Sequence, residues 1–257
     1  MVLAVSIENT VISFGVFEDD GTLFRSASIA SQPHATGDEY AAAIRQIFSL
    51  YHLEPDSISG AALASVVPAL TPKLKAAVQL LCPMAEFLVV SAGVKTGLNL
   101  KVSTATLGSD FVCAAVCAME EFEPPCVIVS LGTATTFAAI DQGGVFRGTA
   151  ITAGVEVSSE ALHRCAAQLP QTGLEAPQAL IGTNTAAALR SGLVYGTASM
   201  IDGMCARFQD QLEGDASFLI TGQYAGEILP YCHTRFIPVP DLVLKGLYYL
   251  YRKNAKQ

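Results

Sequence analysis

Charge is scarce in this sequence. Of its 257 residues only 15% are charged, 23 Asp and Glu against 15 Lys and Arg, which gives a net charge of −8, and tryptophan is absent. The acidic balance argues against nucleic acid or an anionic membrane surface as the main partner. Because 51% of the residues are hydrophobic, the chain is not expected to be disordered. We therefore expect a globular protein with one large domain or two ordinary ones.

Long hydrophobic runs and targeting signals are also missing. Pro, Gly, Ser or a charge interrupts each apolar stretch well before the ~20 residues that a transmembrane helix needs. The first residues, Met1–Ser6, show neither the basic region nor the cleavage site of a signal peptide. These absences predict a cytoplasmic protein without a membrane partner.

Paired metal-binding cysteines are a third absence. The seven cysteines contain no Cys-x-x-Cys pair, which is the spacing typical of structural zinc sites. Cys113 and Cys117 are one helical turn apart, but the four histidines supply no obvious further ligands. Free buried cysteines in a reducing compartment are the simpler interpretation, so we predict no Cys/His metal site.

Apolar runs and turn signals predict alternating strands and helices. A three-stranded meander begins the first half, and after Pro124-Pro125 the same order of elements begins again. The predicted strands are Val2–Ile7, Val11–Phe17, Leu23–Ile29, Ala61–Val67, Phe87–Val90, Cys126–Leu131, Thr135–Asp141, Val145–Ala150 and Phe218–Thr221. The predicted helices are Tyr40–Tyr51, Pro72–Leu81, Leu107–Phe122 with Thr106 as its N-cap, Ser158–Gln168, Asn184–Leu212 and Asp241–Lys253.

The two halves begin with similar strand ends. Val5-Ser6-Ile7 and Val129-Ser130-Leu131 lie 124 residues apart, and each is followed by a turn and a second strand. Chance similarity between two hairpins is the alternative, but the shared order of elements favours an internal duplication. We therefore predict two domains, residues 1–122 and 123–257, with a ligand cleft between them.

Two turns and one helix start carry residues suited to phosphate chemistry. Gly132-Thr133 and the threonines after it offer N–H and hydroxyl donors to a phosphate. Asp110, in Gly108-Ser109-Asp110, is a candidate to accept a proton from a substrate hydroxyl, and Thr221-Gly222 follows a strand where a nucleotide has room to lie. Each also has an ordinary explanation, as a hairpin turn, a helix cap or a loop.

Together these segments resemble the type III pantothenate kinase family in order and spacing over nearly the whole chain. The resemblance implies an α/β protein with a duplicated actin-like (ribonuclease H-like) fold, in which each domain has a mixed five-stranded sheet with flanking helices and a cleft separates the domains. The segments that carry it are Ala64–Pro68, Lys95–Leu98, Gly108–Asp110, Gly132–Thr136, Ala161-Leu162, Leu169-Pro170, Ile181–Thr185, Ser191–Gly196, Thr221-Gly222, Leu244–Leu247 and Asn254.

The resemblance also implies a reaction. Members of the family transfer the γ-phosphoryl group of ATP to the primary hydroxyl of pantothenate, the first committed step toward coenzyme A, using Mg²⁺ and a monovalent cation, K⁺ or NH₄⁺. They act as homodimers with the substrate pocket at the subunit interface. By position, the resemblance assigns proton acceptance to Asp110, ATP binding to Ser6, Asn9, Thr10, Gly132, Thr133, Thr221 and Gly222, substrate binding to Lys101, Gly108, Ser109, Asp110, Phe111 and Thr185, and the monovalent cation to Ser130.

The sequence departs from the family where ligands are bound. Ser6 replaces the aspartate that organises Mg²⁺ in Asp-x-Gly-Asn-Thr, and Glu8 replaces the glycine of that motif. Phe111 replaces an arginine that grips the substrate, and Ser130 replaces the aspartate linked to the monovalent cation. Further departures are Lys101 for an aromatic residue, Ser103-Thr104 for Asn-Pro and Gln223 for a glycine.

Three hypotheses follow from this pattern. The chain is a degenerate subunit that pairs with an intact paralogue, to whose site Thr185 contributes across the interface. Alternatively, it is an autonomous pantothenate kinase with weakened metal and substrate contacts, supported by Asp110, Thr133 and Thr185. The third possibility keeps the nucleotide-binding fold but changes the substrate, with Lys101 and Phe111 lining a different pocket.

Overall fold

The computed structural model describes residues 1–103 and 107–255. The chain divides into two compact units: the first contains Met1–Leu98, Val102–Glu121 and the chain from Asp241 onward, and the second contains Asn99–Lys101 and Phe122–Pro240. Each unit is built on one mixed β-sheet, which confirms the predicted α/β class. Thr104 and the predicted N-cap Thr106 lie outside the described residues.

The elements follow the predicted alternation closely. The strands are β1 (Val2–Ile7), β2 (Val11–Phe17), β3 (Leu23–Ala30), β4 (Gly60–Ser65), β5 (Glu86–Val89), β6 (Asn99–Leu100), β7 (Cys126–Leu131), β8 (Ala134–Ile140), β9 (Val145–Ala153), β10 (Ser217–Thr221) and β11 (Phe236–Pro238). The helices are α1 (Gly37–Leu50), α2 (Thr71–Leu81), α3 (Ser109–Glu121), α4 (Val155–Cys165), α5 (Thr185–Gln209), α6 (Ala225–Ile228) and α7 (Leu242–Asn254).

The sheet of the first unit has the order β3-β2-β1-β4-β5. Its central strand β1 pairs antiparallel with β2 and parallel with β4. Alternate residues of a strand face opposite sides of the sheet: Leu3, Val5 and Ile7 join the core that includes α1 and α2, whereas Val2 and Ala4 join the core that includes α3 and α7. The strand is buried along its whole length because helices cover both faces.

Helix α7 packs with the first unit although it ends the chain. Leu244 and Leu247 of α7 and Val116 of α3 belong to one buried core. The two helices approach so closely that a Cβ atom on Gly246 would overlap the backbone of Cys113. A glycine at this position is therefore what allows the two helix backbones to pack in contact.

The sheet of the second unit has six strands in the order β11-β10-β7-β8-β9-β6, one more than the resemblance implies. The two-residue strand β6 pairs with Val145 and Phe146 at the edge of the sheet, and so short a strand gives no periodic signal in the sequence. Helix α5 covers one face with Leu193, Val194 and Ile201 in the core. Among the described residues, no helix has both the length and the apolar character needed to cross a membrane.

Candidate functional site

In the first unit, two parallel strands and a helix start meet at one edge of the sheet. Strands β1 and β4 end at Ile7 and Ser65, and the N–H of Val66 donates to the carbonyl of Ile7 at 3.0 Å. The hydroxyl of Ser109, the first residue of α3, donates to the carbonyl of Ser65 at 3.1 Å. These bonds hold the start of α3 beside the carboxyl ends of the strands, the edge where open α/β sheets bind ligands.

Asp110 lies in the first turn of α3, next to this edge. Its Oδ1 atom is buried and has no hydrogen-bond partner among the described residues. Burial raises the pKa of this carboxyl group, and the backbone N–H groups of Phe111 and of Asp110 itself partly offset the increase. A Cβ atom on Gly108 would overlap Oδ1, so the glycine leaves room for the carboxylate. A carboxyl group with a raised pKa and a free oxygen is suited to accept a proton.

A second carboxylate, Glu8, follows β1 at the same edge. Its backbone is fixed on both sides, because its N–H donates to the carbonyl of Val11 at 2.9 Å and its carbonyl accepts the hydroxyl of Ser31 at 2.6 Å. The residue is half-buried. Burial raises the pKa of the Glu8 carboxyl group, and the negative charge of Asp110 raises it further. The charge of Asp110 therefore acts on Glu8 at this edge.

The remaining first-unit candidates lie on β1, in the turn after it and on α3. Ser6 is buried within β1, where it pairs with Ser13 on β2 and Ala64 on β4. Asn9 and Thr10 are exposed in the turn between β1 and β2, and Phe111 is half-buried in the first turn of α3. The structure thus brings Ser6, Asn9, Thr10 and the Gly108–Phe111 segment into one unit.

In the second unit, the Gly132-Thr133 turn lies against the start of α4. The N–H of Gly132 donates to the carbonyl of Ala134 at 3.1 Å, and the N–H of Gly154, the N-cap of α4, donates to the carbonyl of Thr133 at 3.0 Å. A Cβ atom on Gly154 would overlap the carbonyls of Gly132 and Thr133. The first N–H groups of a helix favour anions, but the N-cap N–H of α4 is already paired with the carbonyl of Thr133. Phosphate binding by this turn therefore stays a prediction.

Thr221-Gly222 packs on the end of β7. Gly222 has a φ of +99°, and a Cβ atom there would overlap the backbone of Leu131, so only glycine fits without strain. Strand register aligns Ser130 with Thr136 on β8 and with Thr221 on β10. The position that the resemblance links to a monovalent cation therefore lies in a row of neutral hydroxyl side chains.

A contact that the sequence did not predict links these two segments. The N–H of Tyr224 donates to the carbonyl of Leu131 at 3.1 Å, and its hydroxyl donates to Glu156 in the first turn of α4. Burial and then the bond to Glu156 raise the pKa of Tyr224 to about 12. The predicted helix begins at Ser158, after Glu156, whereas α4 begins at Val155, so no sequence pattern indicates this contact.

Lys101 and Thr185 also belong to the second unit, whereas Gly108–Phe111 belong to the first. Lys101 is exposed, and its N–H donates to the carbonyl of Phe146 at 3.1 Å. Thr185 is the first residue of α5 and is exposed. Asn184 caps this helix by accepting the N–H of Ala187 at 2.9 Å.

The two positions to which the resemblance assigns cations, 6 and 130, carry hydroxyl groups and no carboxylate. Mg²⁺ prefers carboxylate, phosphate and water oxygens, but position 6 holds a buried serine hydroxyl and position 130 another serine. The described part of the chain contains no group of three or more His, Cys, Asp or Glu able to hold a metal ion. Neither Glu8 nor Asp110 forms a salt bridge with a cationic group of the described residues.

Comparisons with known proteins confirm the resemblance. The family model for type III pantothenate kinase matches residues 2–207. The chain is 36% identical to a type III pantothenate kinase from Listeria monocytogenes, covering 99% of this chain and 98% of that protein, and 33% identical to one from Halalkalibacterium halodurans, covering 99% and 100%.

Solved structures support the fold. The activator of the 2-hydroxyisocaproyl-CoA dehydratase from Clostridium difficile matches with a TM-score of 0.58 at 10% identity, over 98% of this chain and 95% of that one. A ROK family glucokinase from Streptomyces griseus matches with a TM-score of 0.54 at 13% identity, over 98% of this chain and 99% of that one. At these identities the matches show an actin-like fold.

Proposed function

Since this chain belongs to the type III pantothenate kinase family of coenzyme A biosynthesis, we propose that it is a catalytically degenerate subunit that pairs with an intact paralogue. In this proposal its own site is silent, and the heteromer phosphorylates pantothenate with ATP in the cytoplasm. The family's homodimer is replaced by an assembly in which this chain supplies part of the partner's substrate pocket.

The observation that carries the proposal is the set of three residues, Ser6, Phe111 and Ser130, that stand where the resemblance places charged ones. The family's proton acceptor is present as Asp110, but one of its oxygens is buried without a hydrogen-bond partner among the described residues, and its negative charge acts on a second carboxylate, Glu8. Phosphoryl transfer depends on positioning and on stabilising negative charge. Loss of a single such group typically lowers the rate by ~10²–10³, and here Ser6, Phe111 and Ser130 replace three charged residues.

Thr185 supports a role in a partner's site. It is exposed at the start of a 25-residue helix whose N-cap bond is intact, so its hydroxyl is available to another chain. The resemblance assigns this threonine to the pantothenate pocket of the neighbouring subunit. A chain that has lost its own charged groups can therefore still contribute this contact.

The test measures ATP-dependent phosphorylation of pantothenate by the purified chain, by its paralogue and by the mixture. We expect the chain alone to be inactive and the mixture to be more active than the paralogue alone. Thr185→Ala in this chain should lower the activity of the mixture by about tenfold, because one hydrogen bond to substrate is lost and tenfold corresponds to ~1.4 kcal/mol.

Thr185→Ser is the matched control, since it keeps the hydroxyl group and should retain most of the activity. Circular dichroism of both variants checks that α5 still forms. Robust turnover by this chain alone would contradict the proposal, and so would a mixture that is no more active than the paralogue.

The second candidate is an autonomous pantothenate kinase, favoured by the presence of Asp110 at the start of α3 with a raised pKa. It predicts turnover without a paralogue, so the same assay separates the two functions. A kinase of this fold with another substrate is the third candidate, and a ligand screen addresses it separately.

A further inference from the structure

We propose that Glu8 itself excludes the phosphate groups of ATP from the strand edge of the first unit. The inference rests on the proposed function and identifies the residue that keeps this chain's own site silent. In contrast to Ser6 and Ser130, which only remove favourable charges, Glu8 adds both a side chain and a negative charge at a position where the family has glycine.

The position of Glu8 follows from the ends of the strands. It is the first residue after β1, and the bond from Val66 to Ile7 holds the end of β4 beside it. Ser109 fixes the start of α3 to the carbonyl of Ser65 on the same edge. Any anion approaching the end of β1 therefore meets Glu8 next to Asp110.

Glu8 cannot leave this edge by a simple movement of its backbone. Its N–H and its carbonyl are both hydrogen-bonded, to Val11 at 2.9 Å and to the hydroxyl of Ser31 at 2.6 Å. The neighbouring segment is held as well, because the N–H of Ser31 donates to the carbonyl of Thr10 at 2.9 Å. These bonds fix the backbone that carries Glu8, so only a rotation of its side chain would move the carboxylate without breaking them.

The charges at this edge disfavour a polyphosphate. Glu8 and Asp110 are both acidic, and neither forms a salt bridge with a described Lys or Arg. A nucleoside triphosphate brings several further negative charges into a half-buried site, where like charges repel more strongly than in water. Carboxylates without a countercharge thus oppose the anion that the family binds.

The experiment measures binding of MgATP, and separately of inorganic triphosphate, to the chain alone by isothermal titration calorimetry. Glu8→Gln removes the charge at nearly constant size, and Glu8→Gly also removes the side chain. We expect Glu8→Gln to lower the dissociation constant for both ligands at least tenfold relative to the unmodified chain. Glu8→Gly should lower it as much or more.

Glu18→Gln is the matched control. Glu18 is exposed and directly follows β2, whereas Glu8 lies before the other end of that strand. The Glu18→Gln substitution makes the same change in net charge and should leave binding unchanged. Equal improvement in Glu18→Gln and Glu8→Gln would show a general charge effect and overturn the proposal. Thermal unfolding of each variant confirms that it is folded.

Two further outcomes overturn the proposal: tight MgATP binding by the unmodified chain, or no improvement in either Glu8 variant. The second outcome would not contradict the proposed function, because the replacements at Ser6 and Ser130 would then suffice to silence the site. Failure of the proposed function appears elsewhere, as turnover by the unmodified chain alone or as no gain in activity on mixing with the paralogue.

Discussion

Glu8 and Asp110 are two residues of the same charge at one edge of the first sheet, and the charge of Asp110 acts on Glu8. Burial raises the pKa of both groups, and the charge of Asp110 adds to the increase at Glu8. For Asp110, a raised pKa favours accepting a proton from a hydroxyl group. For an approaching phosphate, the same pair is repulsive as long as both groups are ionised.

The raised pKa of Glu8 predicts a dependence of stability on pH. A carboxyl group whose pKa is higher in the folded state binds more protons when folded, so the free energy of unfolding falls as pH rises from the unfolded pKa, about 4, through the folded pKa. Glu8→Gln removes this contribution. We expect the variant to be more stable than the unmodified chain at pH 7, with a difference that shrinks toward pH 4.

Urea unfolding at pH 4, 5, 6 and 7 measures this difference. Glu18→Gln serves as the control, and its difference from the unmodified chain should not change with pH in the same way. A Glu8→Gln variant with the same or a lower free energy of unfolding at pH 7 would contradict the electrostatic interpretation of this site.

At the scale of elements, helix α7, which ends the chain, packs as part of the first unit. The pattern of apolar residues predicted this helix at the end of the chain, after the second half. Its packing partner is nevertheless α3 in the first unit, with Gly246 against the backbone of Cys113. Helix α3 also carries Ser109 and Asp110, so the contact with α7 supports the position of the candidate proton acceptor.

Gly246→Ala tests this contact. The added Cβ atom would overlap the Cys113 backbone, and overpacking of this kind typically costs about 1–3 kcal/mol. We expect a loss of about 2 kcal/mol in the free energy of unfolding, measured by urea denaturation, although alanine is the better helix former.

Gly203→Ala is the matched control. Gly203 is exposed within α5 and a Cβ atom there would meet nothing within 4 Å, so the substitution should stabilise the chain by about 0.5–1 kcal/mol. Destabilisation of equal size by both substitutions would show that close packing of α3 and α7 is not the cause.

At the scale of the whole molecule, the chain resembles its family over nearly its whole length but departs from it at a few ligand-facing positions. The chain aligns over 99% of its length with a pantothenate kinase at 36% identity, which means that the fold has been retained throughout. Ser6, Phe111 and Ser130 stand at positions where the resemblance implies charged residues. A retained scaffold with altered ligand-facing residues is consistent with a subunit that acts through its partner.

This view predicts a weak response of the isolated chain to the family's ligands. A ligand present at 100 times its dissociation constant adds about 2.7 kcal/mol to the free energy of unfolding, which would raise Tm by several degrees. We expect neither MgATP nor pantothenate to raise the Tm of the chain by more than about one degree. A thermal-shift assay measures this difference.

A set of small hydroxy acids, each added together with MgATP, provides the comparison. A large shift with one of these acids, but not with pantothenate, would favour a kinase with another substrate. A large shift with MgATP and pantothenate together would favour the autonomous kinase instead.

The sequence by itself determined the alternation of strands and helices, the repeated strand ends around Ser6 and Ser130 and the family. These properties depend on local periodicity, on turn residues and on the order of motifs, all of which are readable along the chain. The Gly132-Thr133 turn was likewise located correctly within the fold, whereas α3 begins at Ser109 and not at the predicted Leu107. The roles of both segments stay predictions.

Only the tertiary structure decided which residues meet. The proximity of Glu8 and Asp110, the bond from Tyr224 to Glu156 and the packing of Gly246 on Cys113 join positions that are between 68 and 133 residues apart. Such contacts leave no periodic signal, because they depend on how strands pair and helices pack. The edge strand β6 was missed for the same reason, since its pairing with β9 is all that defines it.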